Sequence, residues 1–528
     1  MGFFRKFYRL IFNTNKQSGF TPSVTKSTGE VVTWWFGNEG KTKSNSPTFN
    51  FANTTTKQVS ASFDNTSLVS QLILTNDGIV GGVDIGEFTS LTYIDVSVMA
   101  DLTSITFPTS SSVTSIFYVY SNPALSSINI SGLSGLGGQV YMNNNAALTS
   151  ITLPTSSSAI SIFDCNGCPL LTSINLSTVT NISNNINFNN CGSLTSVTFP
   201  TNTNAQSITF RSCNLTGNAN FSGLTGDLYN IDFYFNPLLT SITTPTNSND
   251  FNEFNIQFCN ITGTLNLSSF SNGGKIYSLN NNPLLTGITL PSNSTTVTSF
   301  LINNCDITGT LNLSNLSNLG GVIAFNSNAN LTGLTLPTNS VAITSFNGSS
   351  CNLTGTINLS TLSGLGGVLN LSTNPLLTAL TLPTSSQSFT SINLPFCDIT
   401  GTLNLSTLSN ISGAINVQGN ANLTAITLPT TSNIFTLFNA IDCALGFINL
   451  PSFLTGTNNN IDIRLTSNGF TATEVNQWLN ALDVAGWTGG TLLIAGGSNA
   501  APDGSSGGID GLTAKSNLIG KSWTVTSN

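Results

Sequence analysis

The chain has no histidine and very little charge. Of its 528 residues, 6% are Asp, Glu, Lys or Arg. Without an imidazole, Ser-His-Asp triads and the usual histidine-ligated hydrolase metal sites are excluded. No run of 18 apolar residues occurs, so no transmembrane helix is expected. The charge that remains is uneven. Residues 1–60 carry eight Lys/Arg against Glu30 and Glu39, and the remaining 468 residues carry five against nineteen acids. An acidic body argues against nucleic acid as its ligand. Apolar residues still make up 39% and recur periodically, which separates this chain from a disordered, low-complexity one.

What is abundant is Asn, Ser, Thr and Gly, arranged with a period. Cys213, Cys259, Cys305, Cys351, Cys397 and Cys443 follow one another at 46-residue intervals. The first five are each followed by Asn or Asp, an apolar residue, then Thr-Gly, as in Cys305-Asp306-Ile307-Thr308-Gly309. Midway between them stand Asn236, Asn282, Asn328, Asn374 and Asn420, so the true period is 23 residues in two alternating flavours. A fixed period of this size marks a solenoid. The ladder position extends back through Asn76, Met99, Asn122, Asn145, Cys168 and Cys191 and forward to Asn468.

Around it each rung reads apolar-x-x-apolar-x-apolar-x-x-Asn/Cys-x-apolar, as in Val297, Phe300, Ile302, Cys305 and Ile307. This resembles the leucine-rich-repeat pattern. The resemblance implies a mainly β solenoid of about eighteen 23-residue rungs over residues 65–468, with a parallel sheet and an inward Asn satisfying turn backbone. A second strand-like piece per rung, such as 148–155 or 311–314, predicts a second sheet. Pro154, Pro200, Pro245, Pro291, Pro337, Pro383 and Pro429 end it in alternate rungs.

Both ends differ from the repeats. Residues 1–20 are basic and aromatic, and Phe3, Phe4, Phe7, Leu10 and Ile11 fall at helical spacing. With Arg5, Lys6 and Arg9 they suggest an arm that docks onto a partner protein. A disordered tail and a membrane-surface helix are the alternatives. The arm is no signal peptide, because charge interrupts its apolar residues, and Lys6 breaks a myristoylation pattern. Residues 21–64 read as a β module. Trp34-Trp35-Phe36-Gly37-Asn38-Glu39-Gly40, Ser46-Pro47-Thr48-Phe49-Asn50-Phe51 and Val59-Ser60-Ala61-Ser62-Phe63 resemble PKD-type immunoglobulin-like domains, departing from them at Asn38 with Glu39 inserted. The resemblance implies a spacer or adhesion module. Residues 469–528 predict an α/β cap: a capping box at Thr471–Glu474, a helix burying Val475, Trp478, Leu479 and Leu482, a strand at 491–494, a helix near 512–519 and a strand at 523–525. Gly496-Gly497-Ser498-Asn499-Ala500-Ala501-Pro502 resembles the caps of phage structural and tail-fibre-like repeat proteins, and Lys521-Ser522-Trp523 departs from their Gly-Trp form.

The chemistry-bearing residues are few. Ladder cysteines 46 apart lie two rungs apart, about 9–10 Å, beyond the roughly 7 Å Cα limit for a disulfide. They therefore read as buried free thiols. Cys168, Cys191 and Cys213 lie on consecutive rungs, where distance does not decide. Cys165-Asn166-Gly167-Cys168 mimics a redox or zinc pair, but in register Cys165 is an apolar position, and nothing completes a metal site. No cofactor is implied. Asp232 and Glu253, on outward positions of adjacent rungs and roughly 5–8 Å apart by strand spacing, are the one carboxylate pair a glycosidase could use. The plainer reading is two solvated acids. Outward positions also collect Tyr118, Tyr120, Tyr141, Arg211, Tyr234, Phe235, Gln257 and Phe258, which with Asp232 and Glu253 form a candidate face for a sugar or protein ligand. The combined expectation is a non-enzymatic phage virion fibre, spike or decoration protein. Its arm would contact other virion proteins and its face a host glycan or surface protein, without nucleic acid or membrane insertion and compatibly with a homo-oligomer. A bacterial surface or secreted adhesin and, last, a glycan-cleaving enzyme are the alternatives.

Overall fold

A 23-residue repeat cannot bury its apolar positions alone, so each rung must stack on the next. The computed structural model shows that stacking. It describes residues 8–28, 31–53, 55–111, 113–179, 182–201, 204–225, 228–245, 251–270, 273–292, 297–384, 386, 388–408, 410–429, 436–448 and 460–528. Phe3, Phe4, Arg5, Lys6 and Phe7 lie outside them. The fold is mainly β, a parallel β-solenoid with two short helices near the C-terminus. The chain forms two units, Met1–Thr262 with Asn266–Ser271, and Gly263–Leu265 with Asn272–Asn528.

In each unit one short strand per rung joins a parallel sheet, and a buried ladder residue follows the strand. In the first unit Asn145 Nδ2 donates to the carbonyls of Val119 and Met142, both at 2.7 Å, and its Oδ1 accepts the Asn122 N–H at 2.9 Å. In the second, Asn328 Nδ2 donates to Ile302 O (2.9 Å) and Phe325 O (2.7 Å), and Oδ1 accepts from Ile307 N (3.0 Å). Asn374 and Asn420 repeat the set. A ladder cysteine performs part of this work: Cys351 Sγ donates to Phe325 O at 3.3 Å and Cys397 Sγ to Leu371 O at 3.2 Å. The two flavours are complementary. The Asn carbonyl accepts the N–H two residues beyond the preceding cysteine, at Ile307, Leu353 and Ile399. The Thr-Gly that follows is also explained. Thr308 Oγ1 donates to Thr286 O at 3.3 Å, and Gly309 opens the next strand at φ 67°, where a side chain would be strained.

All nine cysteines are buried and free. Burial pushes the thiols of Cys305, Cys351, Cys397 and Cys443 up to about 11, so they stay protonated donors at neutral pH. Cys165 is fully buried, as its register implies. Phe188, Phe210 and Phe233, at its equivalent position, stack at 5.2 and 5.6 Å between centroids.

The second side of the solenoid departs from expectation. Among the described residues it is broken into two-stranded pairs, such as Gly217–Asn220 with Leu239–Thr243 and Gly309–Asn312 with Leu331–Thr335.

The N-terminal boundaries also move. Tyr8–Thr14 is a strand, and not part of a helical or free arm. It pairs antiparallel with Lys57–Phe63 and, through Asn13 and Thr14, with Ile79–Asp84. Leu10 is accordingly buried and Ile11 exposed, the alternation of a strand. Arg9 is exposed on the same strand. Ser23–Lys26 pairs antiparallel with Val69–Ile73. The segment thus closes both edges of the first rung, where open strand groups would invite association. Phe20 packs against Trp34, Phe36 and Phe51 at 6.4, 5.8 and 5.9 Å beneath it.

At the other end α1 (Ala472–Val484) carries the expected Thr471–Glu474 capping box and buries Val475, Trp478, Leu479 and Leu482. The strands Gly490–Leu493 and Trp523–Thr526 extend the parallel sheet, with α2 (Gly511–Gly520) between them. Asn499 supplies a further ladder residue. Its Nδ2 donates to Leu465 O and Ile494 O, both at 2.9 Å, and its Oδ1 accepts from Asn468 N at 2.9 Å.

The first ladder residue is Asp77, not Asn76. Strand pairing sets Ile73 opposite Asp95, which places Asp77 level with Met99, and Asn76 takes the left-handed turn before it. Asp77 is fully buried. Its Oδ1 accepts the Thr21 N–H at 2.9 Å, and Oδ2 has no hydrogen-bond partner. Burial raises its pKa to about 7, against the opposing pull of the Thr21 amide and Lys16. The folded carboxyl therefore holds its proton over a range where the unfolded one has lost it, so stability falls as pH rises from about 4 to 7 and is level above. Asp77→Asn should abolish that slope. Thermal unfolding of both forms between pH 4 and 8 checks this.

Candidate functional site

Side chains alternate across a strand, so residues flanking the buried positions share the outward face. In the first unit strand register aligns one outward row: Asp95, Tyr118, Tyr141, Asp164, Asn187, Thr209, Asp232 and Asn255. The structure sorts the ten candidate residues into two groups along it.

The first group is tyrosine-rich. Tyr118 packs edge-on against Tyr141 at 5.2 Å and Tyr120 at 5.7 Å. Its hydroxyl donates to Gln139 Oε1 at 2.9 Å, which fixes the ring. Tyr93, missed from the sequence, joins at 6.4 Å. It sits in register with Ile116 and Gln139, on the same outward position, and the rule that found the others would have found it. Tyr118, Tyr120, Tyr141 and Asn143 line a recess of about 230 Å³. Burial, with neighbouring Asp95 and Asp164, holds the Tyr93, Tyr118 and Tyr141 hydroxyls above their ordinary pKa.

The second group surrounds Arg211. Its guanidinium pairs with Asp232 (Nη1 to Oδ2, 3.4 Å) and lies 5.0 Å from the Tyr234 ring centre. Tyr234, Phe235 and Phe258 cluster at 5.6 to 6.4 Å. Gln257 lies on the next rung, and its carbonyl accepts the Phe235 N–H at 2.9 Å.

Asp232 is not the solvated acid its outward position suggests. It is buried, and Oδ1 accepts the Tyr234 N–H at 2.9 Å. Asn187 and Asn255 accept equivalent bonds from Asn189 and Gln257, so Asp232 closes the strand end as an asparagine does. Burial raises its pKa, opposed by the Tyr234 amide and Arg211. Burial and the Asp232 charge raise that of Glu253. Glu253 lies opposite Asn230, two positions along from Asp232. An acid tied at both oxygens is poorly placed to shuttle a proton. Among the described residues no group of three or more His, Cys, Asp or Glu could hold a metal ion, and no helix is long and apolar enough to cross a membrane.

One feature of the second group is costly. The residue before each ladder position sits in the left-handed region, and Ser121, Asn144, Gly167, Asn190 and Ser212 suit it. Phe235 and Phe258 occupy the same position at φ 57° and 56°, with 49% and 40% of their surface exposed. A bulky aromatic carries backbone strain there while leaving about half of its surface in solvent.

Stacked parallel strands, one Asn/Cys ladder and this rung pattern define a leucine-rich-repeat solenoid. More particularly, residues 98–216, 166–282 and 275–369 match the BspA type leucine rich repeat region in 6 copies, and together they span just over half of the chain. The chain belongs to that family. No curated protein matches it in sequence. Two solved structures are similar at 15% identity. One is a leucine-rich repeat protein from Bacteroides ovatus ATCC 8483, with a TM-score of 0.31 over 76% of this chain and 90% of that one. The other is the functional domain of InlJ from Listeria monocytogenes, which includes a cysteine ladder, with a TM-score of 0.23 over 77% and 76%.

Phe258→Asn and Phe396→Asn (Phe396 sits equivalently, at φ 58° and 55% exposed) should each raise stability by about 1 kcal/mol through relief of backbone strain. Denaturant unfolding measures it. A loss of stability would show that ring packing outweighs the strain.

Proposed function

We propose that the chain is a non-enzymatic attachment protein that offers the outward face of its first-unit sheet to a surface ligand. The observation that carries this reading is the pair Phe235 and Phe258, exposed aromatics on adjacent rungs at a strained position that Asn, Ser or Gly fills in most other rungs. Strain kept where a polar residue would relieve it points to a binding role. The surrounding Tyr234 and Arg211 are residue types enriched at binding hot spots. Asp232 serves the strand end and Arg211, which favours binding over glycan cleavage at this site.

The setting we favour is a phage virion, with the chain as a fibre, spike or decoration protein contacting a host glycan or surface protein. The support is the similarity of the Gly496–Pro502 stretch to caps of phage structural repeat proteins. The basic N-terminal segment, with Phe3, Phe4, Arg5, Lys6, Phe7 and Arg9, would contact other virion proteins. Membership of the BspA-type family favours a second setting, a bacterial surface or secreted adhesin with the same binding face.

Labelled protein added to a panel of bacterial cells should bind a subset of them. Phe235→Ala/Phe258→Ala should weaken that binding by about 10- to 100-fold with an unchanged circular dichroism spectrum. Undiminished binding would refute the face. Co-sedimentation with purified particles separates the two settings, since an adhesin would sediment with cells and envelopes instead.

A further inference from the structure

The strained position before the ladder residue carries bulk in the second unit too. Thr373 and Phe396 occupy it on adjacent rungs, both at φ 58° and both exposed. A β-branched and an aromatic residue are each strained there. The Phe396 ring rests against Gly419 of the next rung, where a Cβ would meet its Cδ1 at 2.7 Å and its Cε1 at 3.1 Å. Glycine at 419 thus leaves the ring its place.

The amides beside this ring are also unusual. Asn370, Asn393 and Asn416 stand in register in the outward row. In the outer two, Oδ1 closes the strand end by accepting the N–H two residues on, from Ser372 at 3.1 Å and Gln418 at 3.3 Å. In the middle rung that residue is Pro395, which has no N–H to give. Asn393 Nδ2 donates to Ser391 Oγ at 2.8 Å, and among the described residues its Oδ1 accepts no hydrogen bond. Asn393 is half-buried, and this oxygen keeps contact with solvent. Among the described residues the Nδ2 groups of Asn370 and Asn416, also half-buried, have no acceptor. A free acceptor therefore stands between two free donors, at the strand spacing of about 4.8 Å. No charged residue falls within 368–373, 391–396 or 414–419.

We propose that Asn370, Asn393, Asn416 and Phe396 form a second attachment site, in the second unit, for an uncharged hexose residue of a surface polysaccharide. The complementarity is in charge and in hydrogen bonding. A carboxylate offers no donor to Asn393 Oδ1, and an ammonium offers no acceptor to the flanking Nδ2 groups. A hydroxyl does both through one atom. A trans peptide carries its N–H and C=O on opposite edges and cannot serve neighbouring rungs in that way. A pyranose brings several hydroxyls around a ring whose C–H face suits the π-face of Phe396. The inference extends the attachment reading and shares with it the use of strained, exposed bulk as the marker of a site.

Binding of the full chain to an array of glucose, galactose and mannose oligomers, with uronic acid and glucosamine oligomers beside them, tests this. The expected result is binding to a neutral oligomer, with the acidic and free-amine ones at least tenfold weaker. Pro395→Ser restores the N–H that ties Asn393 Oδ1, as Ser372 ties Asn370, so it should weaken binding about tenfold with little change in thermal stability. Phe396→Asn, which relieves strain, should abolish binding in a fully folded chain. Phe235→Ala/Phe258→Ala should leave it unchanged. No neutral oligomer bound, equal binding of the charged oligomers, or undiminished binding by Pro395→Ser and Phe396→Asn overturns the proposal. A chain that binds cells through Phe235 and Phe258 but ignores every neutral oligomer also overturns it, and leaves the first-unit reading standing.

Discussion

Everything in this chain depends on how one buried side chain per rung satisfies the backbone of its neighbour. A turn that leaves a buried strand strands N–H and C=O groups away from water, and each unpaired group costs about 1–3 kcal/mol. An asparagine answers with two donors and an acceptor in one small amide. Asn328, Asn374 and Asn420 each donate to a carbonyl of their own rung and one of the rung before, and each accepts an N–H from the rung before. A cysteine can donate to the preceding rung but offers no comparable acceptor. In the turn that follows it, the next asparagine takes the N–H two residues on, and the Thr-Gly sequence leads that turn into the next strand. The 46-residue period is thus a two-rung hydrogen-bonding unit.

A ladder of this kind has to begin and end somewhere, and the two ends solve the problem differently. At the C-terminus the chain supplies Asn499 as one more rung and covers it with α1 and α2. At the N-terminus no earlier rung exists to receive an amide's donors. The first position holds an acid, Asp77, whose acceptor takes the Thr21 N–H of the covering strand segment. The acid fits the missing donor requirement but is taxed by burial, which is why its proton lingers toward neutrality.

Much of this was legible in the residues. The period, the inward Asn and Cys, Cys165 as an apolar position and the capping box at Thr471 all follow from spacing, because stacking forces every rung to obey one register. What escaped was whatever depends on pairing across rungs. Asn76 and Asp77 are adjacent and both plausible, and only the Ile73–Asp95 register separates them. Tyr8–Thr14 has the aromatic and apolar content of a helix face or a strand, and tertiary pairing with Lys57–Phe63 decides it. At the candidate site the outward residues were gathered without Tyr93, and the spacing rule does not contain their division into two groups. Charge compensation of Asp232 by Arg211, and the strain at Phe235 and Phe258, are properties of the folded backbone that no spacing rule contains.

The ladder also separates architecture from function. Inward positions keep to apolar side chains, Asn and Cys in nearly every rung, whereas on the outward side tyrosine, arginine and phenylalanine appear against a background of Asn, Ser and Thr. The most direct test of the ladder itself is native-state hydrogen exchange at the Leu353 amide, whose N–H is held by Asn374 Oδ1 at 3.1 Å. Asn374→Ala should cut its protection by at least 100-fold, about 3 kcal/mol, while Cys397→Ala should cut protection at its neighbouring amides by about tenfold or less. Equal, small effects of the two substitutions would contradict the account.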